Sequence, residues 1–213
     1  PALSRRMKAL VALALKESKR PLVRRAYSLK QIGKNRTWLD GRAFKLDEPA
    51  RSLFALSMSD HGTNQLLASE LPLLAAAFRL SQKSIFLERC RTQLAETAGW
   101  SPLQRPGWTL YAGGKLPPDN KDGNWLATGT GIRAIADTLE ILTAEELGAE
   151  LIRRLHDLLA REIDSIADDW ATRRPWFIRA NNPITNQWVL PTEGLVRACL
   201  ILGIDRHRSA YEL

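Results

Sequence analysis

Residues 143–170 read TAEELGAELIRRLHDLLAREIDSIADDW, and the spacing of their apolar side chains decides the fold class. Leu147, Leu151, Leu155, Leu158, Ile163, Ile166 and Trp170 recur at helical intervals and make one stripe, the pattern of a long amphipathic helix. Thr143 stands three residues before Glu146 at its start. This is the capping-box pattern, in which each side chain accepts a hydrogen bond from the other residue's backbone N–H. Just upstream, Ile132, Ile135, Ala136, Leu139 and Leu142 mark another helix. A turn of a few residues between the two predicts antiparallel packing.

The same design extends outward in both directions. Pro72, after Ser69, is read as opening a helix that runs to about Leu80, and Ser84 to about Ala98 returns after a short polar turn. A third unit begins near Asn186, runs to Leu202, stops at Gly203 and is followed by the start of a further helix. No run of alternating β-branched residues is bounded by hairpin turns. The expected fold class is therefore all-α, built of helical hairpins. Two longer non-helical stretches, roughly 100–124 and 173–185, hold the Pro, Gly, Asn and aromatic residues that break helices. Each precedes the first helix of a hairpin, which predicts that both emerge at one end of the array. A shorter break around Asp60, His61 and Gly62 is expected to join them there. Loops of this length in a tightly connected domain are disproportionately functional.

Bulk composition bounds the function classes. With 213 residues, 45% hydrophobic and 25% charged, the chain suits one globular domain, and no apolar run approaches the roughly 20 residues of a membrane span. Leu10 to Leu15 follows Arg5, Arg6 and Lys8 as in a signal peptide, but it is short and Lys16 closes it, so it reads as a helix face. The first residue is Pro1, which leaves a lost leader and the localisation open. Cys90 and Cys199 lie in apolar helical patterns without CxxC or His spacing, as expected of buried thiols rather than a zinc site or disulfide framework. Charge is uneven: residues 1–45 hold 13 Lys and Arg against Glu17 and Asp40, a balance of +11, and the remainder has 18 basic and 21 acidic residues, a balance of −3. Residues 1–48 thus read as a basic helical arm ahead of a helical domain over 49–213. Such an arm suits a polyanion, and a solvated basic helix accounts for it equally.

Candidate chemistry gathers in the two long loops. Five of the seven tryptophans, Trp100, Trp108, Trp125, Trp176 and Trp188, lie in or beside them. Aromatic faces there suit sugar rings or bases, and plugging a loop onto helix ends is the alternative. Residues Arg179, Asn181, Asn182, Asn186, Gln187 and Trp188 concentrate amides and a guanidinium where a helix begins. Either Asn182 or Asn186 can cap that helix, but three Asn and a Gln exceed the needs of one cap. Neutral amides and Arg aimed at a carboxylate stabilise the enolate-like charge that develops when the proton beside a uronate carboxyl group is removed. Gly123 to Arg133 makes a second polar lip, with Arg133 about one turn into a helix; a surface ion pair is the alternative for Arg133. His61 is a candidate base in the expected break, whereas His156 and His207 sit among charged residues and read as solvent-facing. Asp119 to Asn124 resembles a calcium loop, yet Lys121 occupies a ligand position and no Glu closes it, so no metal is expected. Gly129 and Gly131 lack the rest of a phosphate loop. No cofactor is expected either.

These residues together resemble the N-terminal helical toroid of heparinase II/III-type polysaccharide lyases. The similarity spans most of residues 50–213 and rests on helix spacing plus two motifs, Asn124-Trp125 with Gly131-Ile132-Arg133, and Asn181-Asn182 with Asn186-Gln187-Trp188 and Glu193-Gly194-Leu195. It implies an incomplete (α/α) toroid truncated at its C-terminus, a missing C-terminal β-rich domain as partner, and a periplasmic or secreted location. It also implies Asn182 or Asn186 as the group that neutralises the uronate, Trp125, Arg133 and Trp188 as the lining of the sugar groove, and His61 as a helper. The family's catalytic tyrosine lies beyond the Asn motif, and Tyr211 comes too early in this sequence to replace it.

The leading expectation is β-eliminating cleavage of an acidic, uronate-containing polysaccharide, with Arg179 and Asn181 as further substrate-binding residues. A toroid glycoside hydrolase would need two carboxylates, for which Asp60, Asp122 and Glu193 are available. A non-catalytic module that binds a polyanion through residues 1–45 is the third reading. Clustering of Trp and Asn at one end argues against that module, since a solenoid spreads such residues along a concave face, and nucleic acid is not the expected partner.

Overall fold

The computed structural model describes residues 4–32, 46–112 and 126–212. Trp125, Asp122 and the rest of the Asp119 to Asn124 run lie outside the described residues. Among those described there is no strand, and no helix is long and apolar enough to cross a membrane. In chain order the helices are α1 (Arg5–Ser18), α2 (Leu29–Ile32), α3 (Ala50–Ser81), α4 (Ser84–Thr97), α5 (Leu126–Ile141), α6 (Ala144–Leu147), α7 (Ala149–Ala171), α8 (Trp176–Arg179), α9 (Asn186–Leu202) and α10 (Arg208–Tyr211). Short 3-10 turns occupy Trp108–Ala112 and Ile204–His207.

Helices α3, α5 and α9 form a row in which α5 is central, packed on α3 along one side and α9 along the other. All three run in the same direction. Asn64 lies against Gly131 and, further along both helices, Arg79 Nε donates to the Ile141 carbonyl at 2.7 Å. Gly129 abuts Leu190, Arg133 faces Glu193 and Asp137 pairs with Arg197, so α5 and α9 also advance together. Helices α4 and α7 return behind the row, themselves in parallel, as Arg91 binds the Glu146 carbonyl and Arg154 the Ala95 carbonyl. Apolar side chains between the layers make the main core, with Leu67, Leu71, Phe86, Leu94, Trp100, Ile132, Ile135, Leu155, Ile163 and Phe177 buried.

Close approach within the row depends on glycine. A Cβ on Gly129 would lie 2.1 Å from the Leu190 carbonyl oxygen, and one on Gly131 would lie 2.2 Å from Asn64 Oδ1. The two glycines face opposite neighbours, so α5 is wedged between two helices at its first turns. Helix α5 is buried over most of residues 127–138 for the same reason.

Several boundaries differ from those read in the sequence. The expected long helix over 143–170 is divided at Gly148, whose φ of +88° suits glycine. The capping box of Thr143 and Glu146 is present on α6, and the main helix restarts at Ala149. Pro72 does not open a helix: it lies inside α3, where buried Leu67, Leu71, Leu74, Ala75 and Phe78 hold the chain helical around it. It does leave the Ala68 carbonyl without an i+4 donor. The expected break at Asp60, His61 and Gly62 is likewise helical. Asp60 is buried, and the reason the helix continues through it is tertiary.

Asp60 collects three segments. Arg25 donates Nε at 3.0 Å and Nη2 at 2.8 Å to the two carboxylate oxygens. Arg105 donates its backbone N–H and Nε at 2.9 Å and Nη2 at 2.6 Å to the same group. Asn64, one turn on, donates Nδ2 to the Leu103 carbonyl at 3.0 Å, and Glu162 of α7 accepts the Leu103 N–H at 2.9 Å. The stretch after α4 is thus pinned over the row by buried side chains from two helices. The N-terminal segment is pinned beside it: Gln93 accepts the Val23 N–H and donates to the Val23 carbonyl, and Arg89 donates to the Pro21 carbonyl. Helix α1 packs on α3 and α4, with Ala14 fully buried.

Removing one member of a buried ion cluster strands the others without water. Asp60→Ala is expected to lower the unfolding free energy in urea by about 3–5 kcal/mol. Asp157→Ala, in an exposed pair with Arg153, is expected to change it by no more than about 1 kcal/mol.

Candidate functional site

A groove of about 320 Å³ opens on the row, lined by Gln65, Ala68 and Ser69 of α3, Thr130 and Arg133 of α5, and Leu190 of α9. Its size is at the small end of the range for ligand pockets, roughly 300–1,000 Å³. The floor mixes an apolar strip, Ala68 and Leu190, with one guanidinium and one amide. Ser69 Oγ and Thr130 Oγ1 each donate back into their own helix, which leaves their oxygens as acceptors.

Arg133 is the cation of this groove. Its Nη1 lies 3.6 Å from Glu193 Oε2, with the two side chains 37% and 34% exposed. That separation is an ion pair without a hydrogen bond. Glu193 is bound more closely by Arg197 Nε, at 3.2 Å, and Arg197 in turn binds Asp137. The four charges alternate along the α5–α9 seam, and Arg133 is the end of the series that faces the groove.

His61 reaches the site through Gln65, one turn along α3, the two side chains meeting at 3.1 Å. The His61 ring also lies against Trp108, with centroids 6.2 Å apart. Asn186 is the exposed first residue of α9, and helical spacing sets Asn186, Leu190, Glu193 and Arg197 on one stripe. Of the expected site residues Arg133 lines the groove, whereas His61 and Asn186 each stand one turn from a lining residue, Gln65 and Leu190.

The remaining expected site residues belong to the loop that leads into α9. Asn181 is exposed with φ +49°, and the Asn182 N–H donates to the Phe177 carbonyl. The helix cap is neither Asn182 nor Asn186 but Thr185, whose Oγ1 accepts the Trp188 N–H at 3.3 Å. Asn186 is already inside the helix, so its amide is released from that task. Arg179 binds the Arg174 carbonyl. Trp188 is half-buried, its ring packed on Trp170 at 5.9 Å and Phe177 at 6.3 Å, and Trp176 meets Phe177 edge-on. Trp100 is a buried core residue. These rings fasten loop to core.

Asp60, available in the sequence as a mouth-facing acid, has no exposed side-chain surface and serves as the ion-cluster centre described above. Gln65 and Thr130 carried no sequence signal, because their relevance comes from the crossing of α3 and α5. Gly129 and Gly131, which suggested a phosphate loop only weakly, are the contacts that let this crossing happen. Cys90 and Cys199 are free and buried, and burial pushes the Cys90 thiol up to about 12. They are poor nucleophiles. Among the described residues no group of His, Cys, Asp or Glu is arranged to hold a metal ion.

No protein-family model, curated protein or solved structure matches this chain.

One strongly shifted acid lies under the pinned loop instead of in the groove. Glu162 is almost completely buried, and desolvation raises its carboxyl group from 4.5 to about 7 against the opposing effects of the Leu103 N–H, Arg25 and Arg161. Among the described residues its Oε2 has no hydrogen-bond partner. In the unfolded chain the group ionises near its ordinary value, so between that value and about 7 the folded state binds the extra proton. Stability is greatest below this window and falls as pH rises through it, by about 3 kcal/mol at most. Urea unfolding between pH 4.5 and 8 should show that decline, and Glu162→Gln should flatten it.

Proposed function

We propose that this chain is the helical part of a β-eliminating lyase for a uronate-containing polysaccharide, with the α3, α5 and α9 row as a partial (α/α) toroid. The observation that carries the reading is Arg133, a groove-facing guanidinium whose partner among the described residues is Glu193 at 3.6 Å, beside the Gln65 amide and an apolar strip. A uronate carboxyl group pairs with Arg133 in bidentate fashion, its ring lying on Ala68 and Leu190. Removal of the proton next to that carboxyl group sends the C–H electron pair towards an enolate, whose charge Arg133 and the Asn186 amide stabilise. The electrons then form the ring double bond as the glycosidic oxygen leaves. His61 is the candidate base, and its Nε2 would exchange the Gln65 contact for the substrate proton.

Alternation of a parallel row with returning helices supports the toroid reading, and so does the resemblance of Asn181 to Leu195 to the heparinase II/III-type motif. In this reading a β-rich domain completes the cleft. A glycoside hydrolase draws less support, since Asp60 is buried between two arginines and Glu193 is held by two more.

Absorbance in the ultraviolet band of unsaturated uronates, followed on heparan-, chondroitin- and alginate-type polymers in the full-length context, tests the proposal. A rise is expected with one polymer class, and Arg133→Gln should lower kcat/KM by about 10²–10³ with helical content unchanged. No rise on any class, or full turnover by Arg133→Gln, would show the reading to be wrong.

A further inference from the structure

Four alternating charges end at the groove, and their geometry is graded. Asp137 and Arg197 are in close contact, Arg197 and Glu193 are hydrogen-bonded at 3.2 Å, and Glu193 and Arg133 are separated by 3.6 Å. The weakest link is the one a ligand in the groove can reach. Glu193 also keeps its Arg197 partner when Arg133 is taken away, so no carboxylate is stranded by the exchange. Arg197 is anchored to Asp137 throughout.

We propose that Glu193 is a built-in competitor for Arg133, and that a saccharide carboxylate binds this chain by replacing it. This deepens the reading given under the proposed function and rests on the same groove. The consequence is selectivity of a defined kind. A neutral sugar has no charge to offer Arg133 in exchange for Glu193, whereas a uronate restores the charge pairing and adds two hydrogen bonds through fork-to-fork geometry. A half-exposed pair at this separation is weak, so the competitor is readily displaced. Glu193 is a specificity-determining residue here, and it takes no part in bond making.

The proposal is tested on this chain alone by titrating glucuronate and galacturonate, with glucose and galactose as neutral counterparts, under NMR or calorimetric detection. Glu193→Gln keeps the side-chain shape and its oxygen for Arg197 while removing the competing charge. It should tighten uronate binding about 3- to 10-fold, and neutral sugars should be unaffected. Arg133→Gln should abolish the preference for uronates, and adding Glu193→Gln to it should restore nothing. Uronate binding by Glu193→Gln equal to or weaker than wild type, or equal tightening for neutral sugars, would overturn the proposal. So would the absence of uronate binding by both proteins. Turnover is not the readout, so the lyase reading and this one fail separately: tightening without any ultraviolet product leaves the carboxylate site standing, and turnover without tightening removes the competitor alone.

Discussion

The carboxylate of Asp60 accepts five hydrogen bonds from two arginines that lie 80 residues apart in the sequence. One partner belongs to the N-terminal segment and the other to the stretch that follows α4, so a single side chain in the middle of α3 fixes both onto the row. Its burial explains why a helix continues through a sequence, Asp60-His61-Gly62, with little local preference for one. Once the chain is pinned there, Asn64 and Glu162 hold the neighbouring Leu103 peptide on both sides. The basic segment from Pro21 to Arg25 is drawn into the structure by the same cluster. Its charge is thereby partly spent on internal pairing, which reduces what it can offer an external polyanion.

The groove follows from a second constraint, the absence of side chains at Gly129 and Gly131. Because α5 approaches α9 through one glycine and α3 through the other, the first turns of α5 and α9 lie beside the middle of α3. Residues that are far apart in sequence, Gln65, Arg133 and Leu190, then line one concavity. Charge at the seam is balanced over its four members, and the loosest pair is the one at the groove end. A second concavity, of about 340 Å³, involves Arg24, Tyr27 and Gln31 but also Glu96, and its deepest cation, Arg25, is already paired with Asp60. The arm is a less suitable carboxylate site than the row.

Much of this was legible in the sequence where the signal is local. The capping box at Thr143, the stop at Gly203, the return helix from Ser84 and the burial of both cysteines all depend on residues within a turn or two. Pro72 and the Asp60 to Gly62 stretch were misread because packing against distant residues overrides local helix breaking. Gly148 was passed over since the apolar stripe continues in phase across it. Of the site, Arg133 and Asn186 were visible as polar residues at helix starts. Thr185 supplies the cap expected of an Asn, and Trp188 turns out to pack on Trp170 and Phe177. The roles of Gln65, Thr130 and Glu193 are set by which helices become neighbours, and no spacing within a single segment encodes that.

If a uronate carboxylate pairs with Arg133 as proposed, acidic saccharides bind on the row of parallel helices and not on the basic arm. Amide hydrogen exchange of this chain, with and without a saturating uronate oligosaccharide, addresses it directly. New protection is then expected in residues 61–69, 126–133 and 186–193 together, with exchange in residues 16–31 unchanged. Protection confined to residues 16–31 would contradict it and place the polyanion on the arm.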